Sequence, residues 1–200
     1  MATQRERGDQ APVAYGDCRL KLTWNHLSEL ADLYSDLWDG HTTSSSEPAA
    51  SVPEALAPAL AEVKAKSRVA LLVPSELPQP LAGAKHAIVE MASNDQYAMS
   101  LYYELGVGDS GFAASFTANA HPNFGPKELP NVNAVKLSRG LVGYFRPVSC
   151  GVSCAPANLW WEENRVLYQI QLKLSSTLSE NIQRKEIIEA ANSAIGAGPR

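Results

Sequence analysis

The stretch Leu159-Trp160-Trp161-Glu162-Glu163-Asn164-Arg165-Val166-Leu167-Tyr168-Gln169-Ile170-Gln171-Leu172-Lys173-Leu174 decides the fold. Two runs rich in aromatic and aliphatic residues flank an Asn-Arg break, which is the pattern of a β-hairpin. A two-residue loop sets the pairing, with Glu163 opposite Val166 and Trp161 opposite Tyr168. Side chains alternate along a strand, so one face holds Leu159, Trp161, Val166, Tyr168, Ile170, Leu172 and Leu174. That face is apolar and belongs to a core. The other face holds Trp160, Glu162, Leu167, Gln169, Gln171 and Lys173, and is polar except for Trp160 and Leu167. Those two are diagonal neighbours within aromatic reach. Either they pack together under a loop or an N-terminal helix, or they form a small adhesive patch for a ligand or partner. The first reading is favoured, because isolated apolar residues are common on surfaces. Tyr102 joins Trp160 and Leu167 as a candidate binding-surface residue.

Immediately upstream lies Cys150-Gly-Val-Ser-Cys154, between Pro147 and Pro156. Gly151 lets the chain turn tightly enough for the two cysteines to reach disulfide range. The expected state is a Cys150–Cys154 disulfide, with two free thiols in a turn as the alternative. No further metal ligands sit at sensible spacing. A disulfide favours an exported protein. The third cysteine, Cys18, is left unpaired within the chain.

Farther out, the apolar residues at 20, 24, 27, 31, 34 and 38 recur at helical spacing, giving an amphipathic helix over 18–40. Residues 1–17 read as a disordered tail and 41–53 as a polar linker. Residues 54–196 read as one α+β domain. Its helix from Pro53 runs to about Lys66, and Val69-Ala-Leu-Leu-Val73 suits a buried strand stopped by Pro74. Hairpins follow around Ser93-Asn94-Asp95 and Ser138-Arg139-Gly140. Tyr97, Met99, Leu101, Tyr103 and Leu105 share the core face of one strand. A terminal helix has capping-box spacing over Thr177-Leu-Ser-Glu180, an apolar stripe of Leu178, Ile182, Ile188, Ala191 and Ile195, and Gly196 to close it. The expected architecture is a single antiparallel sheet of hairpins, with N-terminal and C-terminal helices packed on one face.

Composition excludes several classes. An apolar fraction of 45% and a charged fraction of 19% are ordinary for a globular domain. The net charge of −4 argues against nucleic-acid binding, which needs a basic surface. No stretch approaches the apolar length of a membrane span. The N-terminus lacks the apolar core of a signal peptide. The chain is therefore cytoplasmic, or belongs to the periplasm or cell envelope with its export signal replaced by Met1.

The four histidines, His26, His41, His86 and His121, form no metal motif, and no nucleophile elbow, Walker loop or dinucleotide fingerprint is present. Glu162 and Glu163 are adjacent, so in a strand they face opposite sides and cannot act on one atom. No catalytic, cofactor or metal residues are assigned, and the reading is against an enzyme.

Three segments together resemble an uncharacterised family of bacterial exported proteins or lipoproteins. They are Val69-Ala-Leu-Leu-Val-Pro-Ser-Glu-Leu-Pro78, the Leu137–Leu174 segment with the cysteine turn and tryptophan hairpin, and Ala190-Ala-Asn-Ser-Ala-Ile195. The end of the chain is also loosely similar to domains in the C-terminal parts of membrane-bound anti-sigma factors and sporulation lipoproteins. The resemblance covers roughly residues 54–195 and implies export and an α+β fold, but no activity. The chain departs from the pattern at Arg165, where a hairpin glycine is usual, and in the Gly106–Gly111 loop, where relatives carry cysteines. The expectation is a non-enzymatic envelope module whose partner is an envelope protein or cell-wall component. The alternatives are an envelope-acting hydrolase or transferase with a site built from loops 106–111 and 119–133, and a sensor or regulatory domain.

Overall fold

In the computed structural model the described residues are 52–200. The tail over 1–17, the helix over 18–40 and the linker as far as residue 51 lie outside them, as do Cys18, His26 and His41.

Among the described residues, nine strands and two α-helices make an α+β fold. The strands are β1 (His86–Ser93), β2 (Gln96–Tyr102), β3 (Phe112–Asn119), β4 (Asn133–Lys136), β5 (Val142–Arg146), β6 (Ser149–Cys150), β7 (Cys154–Ala155), β8 (Ala157–Glu163) and β9 (Val166–Leu172). The helices are α1 (Ala57–Lys66), entered through a short 3-10 turn, and α2 (Glu180–Ala197). Seven strands form an antiparallel sheet in the order β1-β2-β3-β9-β8-β5-β4, and β6 and β7 form a separate ribbon.

The β8–β9 pairing has the register expected from its loop, with Trp161 opposite Tyr168 and Glu163 opposite Val166. Asn164 and Arg165 both carry positive φ, 53° and 66°, as the tight primed turn requires. On the core face Trp161 stacks on Tyr168 with ring centroids 5.4 Å apart. Gly143 of β5 lies opposite Trp161. A Cβ there would meet the Leu137 side chain at 2.9 Å and that of Leu159 at 3.0 Å, so a larger residue would require those two leucines to shift.

The same buried cluster takes Tyr97, Met99 and Leu101 from β2, Phe116 from β3, Leu60 and Val63 from α1, and Ile187 and Ala191 from α2. The core face of β2 stops earlier than its alternation predicts. The strand ends at Tyr102, and Leu105 is 48% exposed on the following loop.

Val69–Val73 is buried apart from the half-buried Ala70, but it is not a strand of either sheet. The segment is tied instead by two phenols and the end of the chain. The Leu72 amide donates to Tyr97 Oη at 3.2 Å, and Tyr168 Oη donates to the Ala70 carbonyl at 3.2 Å. The Arg200 amide donates to the Leu71 carbonyl at 3.1 Å. A buried apolar run needs its backbone groups satisfied, but a ladder is only one way to do that.

Helix α2 keeps its expected stripe at Ala191 and Ile195, with Leu178 and Ile188 partly buried, but not at Ile182. Its buried residues are Gln183, Ile187, Ala190, Ala191, Ala194 and Ile195, while Ile182 is 46% exposed. The packed face is rotated toward the alanines, which allow close approach to the sheet. Ser179 is the N-cap residue without a side-chain cap bond, so the capping box does not form, and Gly198 at φ 70° takes the closing place expected of Gly196.

Replacing Tyr97 by Phe leaves the buried Leu72 amide without its acceptor. The expected loss is about 1 to 3 kcal/mol, read from urea unfolding of Y97F against the parent. Burial pushes the hydroxyls of Tyr97 and Tyr168 up, that of Tyr168 to about 12. In the unfolded chain these phenols ionise near pH 10. Their contribution is therefore intact below about pH 10 and lost as pH rises toward 12. Unfolding curves across that window should show stability falling, and Y168F should flatten the fall.

Candidate functional site: the disulfide ribbon and its clefts

The Cys150 and Cys154 sulfurs are bonded at 2.08 Å. Cys150 pairs with Cys154 and Ser149 with Ala155, and the Gly151 amide donates to the Ser153 carbonyl at 2.9 Å. The whole of 149–155 is exposed, with Val152 standing clear at the tip.

Two buried amide side chains clamp the ribbon at its ends. Before it, the Val148 amide donates to Gln183 Oε1 at 2.9 Å, and Gln183 Nε2 donates to the Leu178 carbonyl at 2.8 Å. Gln183 is only 4% exposed, so α2 holds the chain entering the ribbon through a buried side chain bonded at both of its polar atoms. After it, Asn158 Nδ2 donates to the Pro156 carbonyl at 2.7 Å. Asn158 Oδ1 accepts from Gln169 Nε2 at 2.6 Å and from Gln171 Nε2 at 2.7 Å. Gln171 Oε1 accepts from Ser115 Oγ at 2.9 Å. These residues belong to a polar row, Ser100–Ser115–Gln171–Asn158, that runs across β2, β3, β9 and β8 on the outer face. Sequence reading had the polar alternation of Gln169 and Gln171 but did not connect it to Asn158 and the cysteine turn. Gln183 gave no signal, because a glutamine on a helix reads as solvent-facing.

The ribbon separates two clefts. One, of about 630 Å³, lies between the ribbon and the ends of β3 and β9, and is lined by Phe112, Val148, Cys154, Pro156 and Leu174 with Lys173 and four serines. Lys173 Nζ donates to the Ser110 carbonyl at 3.0 Å. The other, of about 670 Å³, includes Asn131, Arg146, Ser149 and Glu180. Val148 and Ala155 line both. The volumes fall in the range of small-molecule sites.

The candidate surface residues sit elsewhere. Trp160 is on the outer face, opposite Gln169 and Tyr144, as its register predicts. It is nevertheless 3% exposed, and Leu167 is 7% exposed. The Arg146 guanidinium lies over the Trp160 ring, 5.1 Å from its centroid. Both residues are outside the main core cluster. Tyr102 is half-buried, meets Phe112 edge-on at 6.0 Å and donates to Glu90 Oε1 at 3.3 Å. Tyr102 and Trp160 lie on strands separated by β3 and β9, so the three do not form one exposed patch.

The loops proposed for a hydrolytic site contribute to different clefts: Ser110 lines the first, while Pro130 and Asn131 line the second. His121 is exposed beyond β3. The nearby Asp95 carboxyl is held below its usual range by the Ser93 hydroxyl, 2.6 Å away, by its own backbone amide, and to a smaller extent by His121. Neither residue lines the clefts beside the ribbon. Among the described residues no group of three or more histidines, cysteines or carboxylates is placed to hold a metal. No described helix is long and apolar enough to cross a membrane. The chain matches no known protein family, no curated protein and no solved structure.

Closing so short a loop is worth about 2 kcal/mol by chain entropy. The double variant C150S/C154S should lose about that much in urea unfolding and still fold, since the clamps at Val148 and Pro156 do not involve sulfur. Reductant should then shift the parent and leave the double variant unmoved.

Proposed function

We propose that this chain is an exported, non-enzymatic binding module of the cell envelope. The observation that carries the reading is the Cys150–Cys154 disulfide on a fully exposed ribbon that forms a wall of two open clefts. An exposed disulfide persists in oxidising compartments and is reduced in the cytosol. The resemblance of the Leu137–Leu174 segment to exported bacterial proteins and lipoproteins supports the same compartment. Its partner would be an envelope protein or a cell-wall component.

We also read both helices as covering one face of the large sheet, since Val63 of α1 and Ile187 of α2 share a cluster with Tyr97 and Trp161. The clamps point the same way as the binding reading. Gln183 and Asn158 spend buried hydrogen-bonding capacity on fixing a short exposed ribbon, and a rigid wall lowers the ordering cost of binding.

The test is thiol trapping of the native protein in cells, with capture from envelope extract. Cys150 and Cys154 should resist alkylation until reductant is added, the chain should fractionate with the envelope, and a specific partner should be retained. Freely alkylated cysteines in a cytosolic fraction, or capture that recovers nothing specific, would sink the reading.

A further inference from the structure

The cleft of about 670 Å³ contains an arginine that has no counter-charge among the described residues. Arg146 is the last residue of β5 and stands opposite Asn158, so it ends the outer-face row that runs through Ser115, Gln171 and Asn158. Its guanidinium lies over the Trp160 ring, 5.1 Å from the centroid, and Trp160 is itself buried. One plane of the guanidinium is thus held against an aromatic face. Its nitrogens donate to no described acceptor, and none of them is sealed from solvent. Asn158, its cross-strand neighbour, has no lone pair to spare, because Oδ1 already accepts from Gln169 and Gln171. Glu180, the carboxylate in the lining, is taken by Arg184 at 2.6 Å.

The rest of the lining is uncharged. Asn131, Asn133 and Ser149 belong to it, and their side chains make no hydrogen bond to described residues. A guanidinium held by one plane presents its N–H edges as a fork, which matches the two oxygens of a carboxylate. A neutral ligand would forgo those charge-assisted bonds. A free ammonium would be repelled by Arg146 and would find Glu180 already paired. Arg146 is the one cation in this lining, so it balances a monoanion and leaves a dianion with charge to spare. Beside the fork, the asparagine amides can both donate and accept, and the serine hydroxyl can do the same. That suits a peptide group, which offers one donor and one acceptor.

We infer that this cleft binds the terminal carboxylate of a peptide, with the carboxylate forked by Arg146 and the adjoining peptide group met by Asn131, Asn133 and Ser149. The inference rests on reading the domain as a binding module and names the ligand class of one of that module's clefts. Ser149 and Ala155 are the ribbon pair next to the disulfide and both line the cleft, so the ribbon forms part of its wall. Pro147 and Val148, which lead into the ribbon, add apolar surface for the side chain of the last peptide residue.

Titration of the oxidised, full-length chain with N-acetyl-trialanine, its C-terminal amide and inorganic phosphate tests it, with binding read by calorimetry. The peptide acid should bind saturably, at least about tenfold more tightly than the amide or phosphate, a gap of about 1.4 kcal/mol. Arg146→Gln should remove the preference for acid over amide. Arg146→Lys keeps the charge and loses the fork, so it should weaken the acid while leaving it ahead of the amide. Ser149→Trp, at an exposed position that lines this cleft and not the other, should block the acid, and it carries the test if Arg146→Gln does not fold. The inference is overturned if the acid does not saturate, if the amide or phosphate binds as tightly, if Arg146→Gln leaves the preference intact, if Arg146→Lys binds the acid as well as the parent does, or if Ser149→Trp leaves acid binding unchanged. Any of these with envelope capture still specific would leave the binding-module reading standing and remove only this ligand class.

Discussion

The pairing of β8 with β9 through the Asn164-Arg165 turn is the constraint on which the rest of the structure depends. It puts Trp161 against Tyr168 on the inner face and so sets the aromatic centre of the core. The same register aligns Asn158 with Gln171 on the other face. A slip of one residue would exchange the faces, sending Trp161 outward and breaking the amide row. Two non-glycine residues accept left-handed backbone to hold that register. Arg139, itself at φ 58°, adds an ion pair to Glu163 at 3.0 Å beside the turn.

From that register the path to the candidate site is short. Asn158 collects hydrogen bonds from Gln169 and Gln171 and passes one on to the Pro156 carbonyl. Pro156 leaves the ribbon, and Gln183 holds the chain that enters it. The disulfide closes the ribbon between these fixed points. The exposed loop is thus tied into the sheet by one amide and into α2 by another. Function in such a domain is placed on a loop and precision in the scaffold beneath it.

What was legible in the sequence was local. The hairpin around Asn164-Arg165 could be read because loop length sets register without knowledge of distant residues. The cysteine turn could be read because four residues and a glycine limit its geometry. The segment Val69–Val73 was misread as a strand because an apolar run reports burial and says nothing of which groups satisfy its backbone. The stripe of α2 holds at Ala191 and Ile195 and fails at Ile182, because a stripe chosen by side-chain size favours the isoleucine, whereas the buried face is completed by Gln183, Ile187, Ala190 and Ala194. Trp160 was correctly put on the outer face, but its burial depends on tertiary surroundings that alternation does not encode. The cleft could not be read at all, since its lining comes from residues 110–112, 148–156 and 173–176, which only the fold brings together.

The tie between Val69–Val73 and its two phenols bears on the order of assembly. Tyr97 is 25 positions from Leu72, and Tyr168 is 98 from Ala70. The two tyrosines stand on β2 and β9, which meet only through β3. Both hydroxyls can engage the segment only once those three strands lie side by side. The Tyr168 contact spans a long loop of chain, whose closure carries an entropic cost. The segment therefore sits as a keystone: a short apolar strip whose two phenol ties both exist only in the assembled β2–β3–β9 arrangement.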